Sequence, residues 1–301
     1  MKGLFFSTGG IHMATLMGMF IGLKNKLNNI DYCGGISAGA FLSSLCALYS
    51  HDEIENIIKE HAHDHLLKNR HKYFNTIISS LFNKSILDDS QLKSLLDKLL
   101  NNRILLRDLF IGVTNEDTMT YELKHFKKGE LYPSLSFIVH ASMSIPILLP
   151  GVTYENKHLV DGGLFHSIPV EAIDTCIEKA IKEKAETFDI TILSSKRFNA
   201  IMKPEKNKHL EIPHKAIRMM YSHGYITMHN DHIILDKAIS NAKEHGIGIT
   251  LNFFSIPDDQ LQYYDKKIQF QEYGHINKNT VNVLMELGKK IVHHALYKLK
   301  F

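Results

Sequence analysis

The chain has 301 residues, 44% of them hydrophobic, with 35 basic against 32 acidic side chains and a formal net charge of +3. That is enough apolar material for one large α/β domain with insertions, and so mild a charge makes no case for nucleic acid as a partner. Three cysteines, Cys33, Cys46 and Cys176, without paired or CxxC spacing argue for a reducing compartment, no structural disulfide and no thiolate metal site.

Leu4-Phe5-Phe6-Ser7 reads as a buried strand rather than part of a signal peptide, because it runs directly into Thr8-Gly9-Gly10. A helix follows with apolar positions Met13, Leu16, Met17, Phe20 and Leu23. A glycine pair between strand and helix exposes backbone N–H groups, which suit either a phosphate or an oxyanion. The dinucleotide pattern Gly-x-Gly-x-x-Gly is not met, so the oxyanion reading stands. The apolar run from Ile11 to Leu23 is too short to span a bilayer.

Ile30, Tyr32 and Cys33 suggest a second strand, and Ala40, Phe41, Leu45 and Leu48 keep helical spacing. Between them lies Gly35-Ile36-Ser37-Ala38-Gly39. In Gly-x-Ser-x-Gly the glycines let the chain bend sharply, pushing the serine out in a strained conformation at a helix N-terminus. The helix dipole and unpaired N–H groups there favour negative charge on the serine oxygen or on a tetrahedral intermediate. A plain Gly-Ser turn is the alternative for this stretch alone.

A helix is expected from Ile54 to His61, then an amphipathic face of Phe74, Ile77, Ile78, Leu81 and Phe82, either core or a mobile lid or membrane-facing cap flanked by Lys68, Arg70, Lys72 and Tyr73. Of His61, His63, His65 and His71 only His61 and His65 would share a helix face, which argues against a metal site. Further elements are a helix over Gln91–Leu100, a central strand at Leu109–Thr114, a partner over Met119–Leu123, a helix from Ser134 that Pro146 ends, and a hairpin around residues 154–160. Asp161-Gly162-Gly163 follows at once. It is either a turn or a carboxylate held at a strand end beside tightly packed backbone.

Beyond it come a helix from Pro169, a strand over Phe188–Ser194, and an exposed lysine-rich loop from Lys196 to Glu211. A long helix to Glu244 carries His214, His223, His229 and His232, followed by a strand over Ile247–Ile256. The terminal apolar stripe comprises Val281, Leu284, Met285, Gly288, Ile291, Val292, Ala295, Leu296 and Leu299. That last helix either packs on the core or attaches the protein peripherally to membranes.

Three blocks, Thr8-Gly9-Gly10-Ile11-His12, Gly35-Ile36-Ser37-Ala38-Gly39 and Asp161-Gly162-Gly163, match in order and type, and the chain resembles the patatin-like phospholipases. Ala141-Ser142-Met143-Ser144-Ile145-Pro146 and Ser167-Ile168-Pro169-Val170 are similar to the segments flanking that family's catalytic acid. The resemblance implies a three-layer α/β/α fold with a central, mostly parallel sheet and helical insertions. Residues 1–195 would form the catalytic core with an insertion around 51–104, and 196–301 would pack on the same domain.

The resemblance further implies Ser37 as nucleophile, Asp161 as its partner in a dyad, and Gly9, Gly10 and Ile11 as oxyanion donors. Gly35, Gly39, Gly162 and Gly163 would support the motifs. No cofactor or metal is implied. The substrate would be a phospholipid or other acyl ester met transiently at a membrane surface, by a cytoplasmic or peripheral protein. The sequence departs from the family at Thr8, where a third glycine usually stands but where an N–H remains, and at His12 and Met13, in place of a cation and a glycine. An α/β-hydrolase triad using a later histidine, and a catalytically inactive lipid- or partner-binding module, are the alternatives.

Overall fold

A computed structural model describes residues 1–24, 27–60, 90–146, 149–196, 212–257 and 278–298. The stripe Phe74–Phe82 with its flanking cations, the histidines 61, 63, 65 and 71, and residues 197–211 of the lysine-rich loop lie outside these residues, as does the side chain of His214.

Eight strands form one mixed sheet. In chain order they are β1 (Lys2–Phe6), β2 (Tyr32–Ile36), β3 (Asp108–Asn115), β4 (Thr120–Phe126), β5 (Val152–Tyr154), β6 (Lys157–Asp161), β7 (Thr187–Ser194) and β8 (Gly248–Ser255). The parallel run is β3-β2-β1-β7-β8, and β4, β5 and β6 add antiparallel pairs at the β3 end.

Among the described residues eight α-helices cover both faces: α1 (Met13–Gly22), α2 (Ala38–Leu48), α3 (His51–Glu60), α4 (Ser90–Leu100), α5 (Leu135–Met143), α6 (Val170–Lys182), α7 (Ile212–Glu244) and α8 (Lys278–Lys298). Alternation along the strands assigns the layers. Leu4, Phe6, Leu109, Ile111 and Val113 join a core with residues of α1 to α5 and α8. Phe5, Phe110, Ile190 and Ile192 join a second core with α6 and α7. Both faces are buried, which is why these strands read as continuous apolar runs.

Two elements end differently from the sequence expectation. Helix α5 stops at Met143, before Pro146, because Ser144 leaves helical geometry and turns toward β6. Lys196, expected as the start of an exposed loop, is only 9% exposed and lies over the Tyr225 ring. All three cysteines are buried free thiols. No helix among the described residues is long and apolar enough to cross a membrane.

The terminal helix α8 crosses α1 at glycines. A Cβ on Gly288 would overlap the Thr15 carbonyl oxygen and stand 2.6 Å from the Met19 nitrogen, and Gly18 meets the Met285 backbone in the same way. Gly288→Val forces these backbones apart, so we expect a loss of about 2–3 kcal/mol in urea denaturation.

The register of β3 determines the rest. A strand has two edges, and β4 fills one of them from Leu109 to Asn115. On the other edge β2 pairs with residues 108–112, ending with Ile36 opposite Gly112, while β6 enters antiparallel and pairs with 113–115, ending with Asp161 opposite Val113. The two strands therefore meet end to end, and the chain emerges from both at one point.

Candidate active site

Ser37 stands between β2 and α2 with φ 59° and ψ −126°, the left-handed half of backbone space that a non-glycine residue enters only under constraint. The constraint is close packing. A Cβ on Gly35 would overlap the Gly39 carbonyl, and one on Gly39 would collide with the carbonyls of Phe6 and Ser7. With both glycines the elbow folds tightly against β1. Ser37 occupies the N-cap of α2, yet its side chain makes no capping bond, which leaves the hydroxyl for another partner.

The buried carboxyl of Asp161 lies beside it, near enough for the Ser37 side chain to help hold that carboxyl's pKa down. Asp161 is held from several sides. Its N–H donates to the Ser144 carbonyl (2.9 Å), its carbonyl accepts from Thr114 Oγ1 (2.9 Å), and its Oδ1 accepts from the Gly163 N–H (2.7 Å). Gly162 must be a glycine, since a Cβ would stand 2.6 Å from the Gly112 carbonyl oxygen. Burial is the largest influence on the Asp161 carboxyl and raises its pKa to about 7, against the opposing hydrogen bonds from Gly163 and Ser37.

Ser142 ties the two strand ends together. Its Oγ accepts from the Ser37 N–H (2.9 Å) and donates to the Gly112 carbonyl (2.7 Å), which explains why the segment around 141–146 belongs with the acid motif. Ser142→Ala leaves both backbone groups unpaired in a buried place. We expect a loss of about 1–3 kcal/mol, read by thermal melting.

The glycine loop closes the third side. Gly9 packs on the elbow, its missing Cβ position 3.3 Å from Ala38 Cβ, and Thr8 Cγ2 lies 3.1 Å from the corresponding position on Gly163. The three sequence blocks thus converge, with Gly10 at φ 49° before a short 3-10 turn over Gly10–His12. The N–H that Thr8 keeps in place of the family's third glycine donates to the Ser167 carbonyl at 2.8 Å. Among the described residues the N–H groups of Gly9, Gly10 and Ala38 make no hydrogen bond, so they remain for an oxyanion.

The histidines of α7 lie elsewhere: His223 contacts the Leu164 carbonyl, and His232 faces Asp236. His166, which no sequence motif singles out, sits five residues beyond Asp161, with Nδ1 2.6 Å from Asp231 Oδ1 and Nε2 3.6 Å from Glu171. One trio with metal-ligand atoms close together, His51, Asp52 and Glu55, lies on α3, where Lys24 already bridges both carboxylates at 2.5 and 3.5 Å.

A family model described as patatin-like phospholipase matches residues 4–174, from β1 into α6. The chain belongs to the patatin-like phospholipase family. The match takes in all three blocks and stops short of β7, β8, α7 and α8. Among solved structures, a similar one is VipD from Legionella pneumophila, 14% identical with a TM-score of 0.37, over 79% of this chain and 67% of that one. No curated protein matches the chain. Members of this patatin-like family act on lipid esters, which makes a lipid acyl ester the substrate class to consider here.

Proposed function

We propose that this protein is a lipid acyl hydrolase of the phospholipase A type, cleaving fatty acyl esters through Ser37 and Asp161 by way of an acyl-serine. The observation that carries this reading is the buried contact between the Ser37 hydroxyl and an Asp161 carboxyl whose pKa burial has raised to about 7. An aspartate at its ordinary pKa is too weak a base for an alcohol, and desolvation narrows that gap.

In the first step Asp161 accepts the hydroxyl proton as Ser37 Oγ attacks the ester carbonyl. Negative charge then develops on the carbonyl oxygen, where Gly9, Gly10, Ile11 and Ala38 offer backbone N–H groups at the start of a helix. Collapse expels the alcohol, lysophospholipid in the case of a diacyl substrate, which takes the proton back from Asp161. Water activated by the same carboxylate then attacks the acyl-serine, releasing the fatty acid and regenerating Ser37.

The dyad is favoured over a Ser-Asp-His triad by two contacts. The Ser37 side chain lies beside the Asp161 carboxyl and acts on its pKa, and both ring nitrogens of His166, the first histidine after Asp161 in the chain, face carboxylates. A membrane surface is the setting in which such a substrate would be met. A fluorophosphonate, offered with mixed phospholipid vesicles, should label Ser37, and fatty-acid release should fall in step with labelling. A folded wild-type chain that stays unlabelled would instead favour the inactive lipid-binding reading.

A further inference from the structure

Helix α7 carries apolar residues at Met228, Leu235, Ala238 and Ala242, all buried in the second core, and the same stripe includes a charge, Asp231, with 0% exposure. A carboxylate at a core position is retained only when its oxygens are fully engaged. Here Oδ1 meets His166 Nδ1 at 2.6 Å, and Oδ2 accepts from the Ser167 N–H at 2.6 Å and the Ile168 N–H at 2.8 Å. The same helix face adds Thr227 Oγ1, 2.6 Å from Ser167 Oγ, the Gly224 carbonyl, which accepts from Ser167 Oγ at 3.1 Å, and His223 against the Leu164 carbonyl. Positions 223, 227 and 231, one turn apart, all grip residues 164–168.

What this segment holds in turn is the glycine loop. The Ser167 carbonyl accepts the Thr8 N–H, and Thr8 abuts Gly163 beside Asp161. One residue, Ser167, therefore links the Asp231 carboxylate to the backbone carrying Gly9 and Gly10. We propose that Asp231 is a positioning residue which, with His166, clamps residues 166–168 and so holds the glycine loop in register with Ser37. Helix α7, beyond the family-matched residues, becomes part of the catalytic apparatus.

Burial raises the Asp231 carboxyl above its ordinary value, and the hydrogen bonds from His166 and from the Ile168 and Ser167 N–H groups oppose that rise. Burial alone would lower the His166 pKa, but the hydrogen bonds and charges of Asp231 and Glu171 raise it to about 9. The groups facing the ring are Asp231 from α7, Glu171 from α6 and the edge-on Tyr121 ring from β4, whose own hydroxyl burial holds well above its usual range. The imidazolium is thus present below pH 9 and gives up its proton above it, and the clamp weakens in that direction.

The inference rests on Ser37 as nucleophile, so the test separates the two. Fluorophosphonate labelling of Ser37 is followed from pH 5 to about 10.5 in the full chain for wild type, Asp231→Asn and His166→Gln, with melting curves and hydrogen exchange over residues 7–12. Wild type should lose labelling as pH rises through about 9. Folded Asp231→Asn should label about 100-fold more slowly, the effect of an ångström-scale misplacement, and its loop amides should exchange faster. His166→Gln keeps both backbone bonds to Asp231, so it should fold, label more slowly and lack the alkaline limb.

Folded Asp231→Asn labelling within about twofold of wild type with unchanged exchange would overturn the clamp. If that variant does not fold, an intact alkaline limb in His166→Gln would overturn it. Should wild type not label at all, the nucleophile assignment fails, and the exchange comparison alone decides the clamp.

Discussion

Ser37→Ala should lower ester hydrolysis by roughly 10⁴-fold or more, the scale of loss when a nucleophile acting as part of a unit is removed. The fold should hardly notice. Alanine keeps the Cβ that already sits at φ 59°, so the elbow's backbone demand is unchanged. Only the hydroxyl's interaction with the Asp161 carboxyl disappears, a change of about 1 kcal/mol. Ser37→Gly sharpens the test because it removes the same hydroxyl and also the left-handed backbone penalty. It should be equally inactive yet more stable than Ser37→Ala by about 1–2 kcal/mol. Fatty-acid release and urea denaturation measured together decide the matter. A Ser37→Ala chain that is folded and still hydrolyses its substrate would move the nucleophile elsewhere.

The elbow was legible in the sequence because its causes are local. Gly35 and Gly39 lie two residues on either side of Ser37, and the clashes they avoid involve the turn itself and the end of the first strand. The meeting of Ser37 with Asp161 was not legible from spacing, since it arises from β2 and β6 sharing one edge of β3, a matter of register set by residues 108–115. Only the family resemblance brings those two blocks together. The use of the Thr8 N–H was invisible for the same reason, its acceptor being 159 positions along the chain. Asp231 did leave a signal. Its place in the 228, 235, 238, 242 stripe puts a carboxylate where a solvated helix would have its apolar face, whereas the histidines of α7, conspicuous by residue type, lie mostly outside that stripe.

Asp161→Asn should abolish turnover and at the same time stabilise the protein at neutral and alkaline pH. The sign follows from the raised pKa. Below pH 3.8, the ordinary value for this carboxyl, folded and unfolded chains both hold the proton and the residue contributes no pH dependence. Between there and about 7 the unfolded chain releases the proton while the folded chain keeps it. Stability therefore falls as pH rises across that interval, by up to about 4 kcal/mol, and is level above it. Asparagine resembles the neutral acid in shape, accepts from the Gly163 N–H, and never meets the cost of a buried charge. Its advantage over wild type should be largest at about pH 8 and vanish toward about pH 4, which paired melting curves at the two values will show. Activity in wild type should climb in the opposite sense, rising through about pH 7 as the carboxylate forms. Gain of the base and loss of stability over the same pH interval is what the proposed proton transfer from Ser37 to Asp161 requires. If Asp161→Asn melts at or below wild type at about pH 8, the carboxyl is not desolvated as described, and the case for it as the base goes with it.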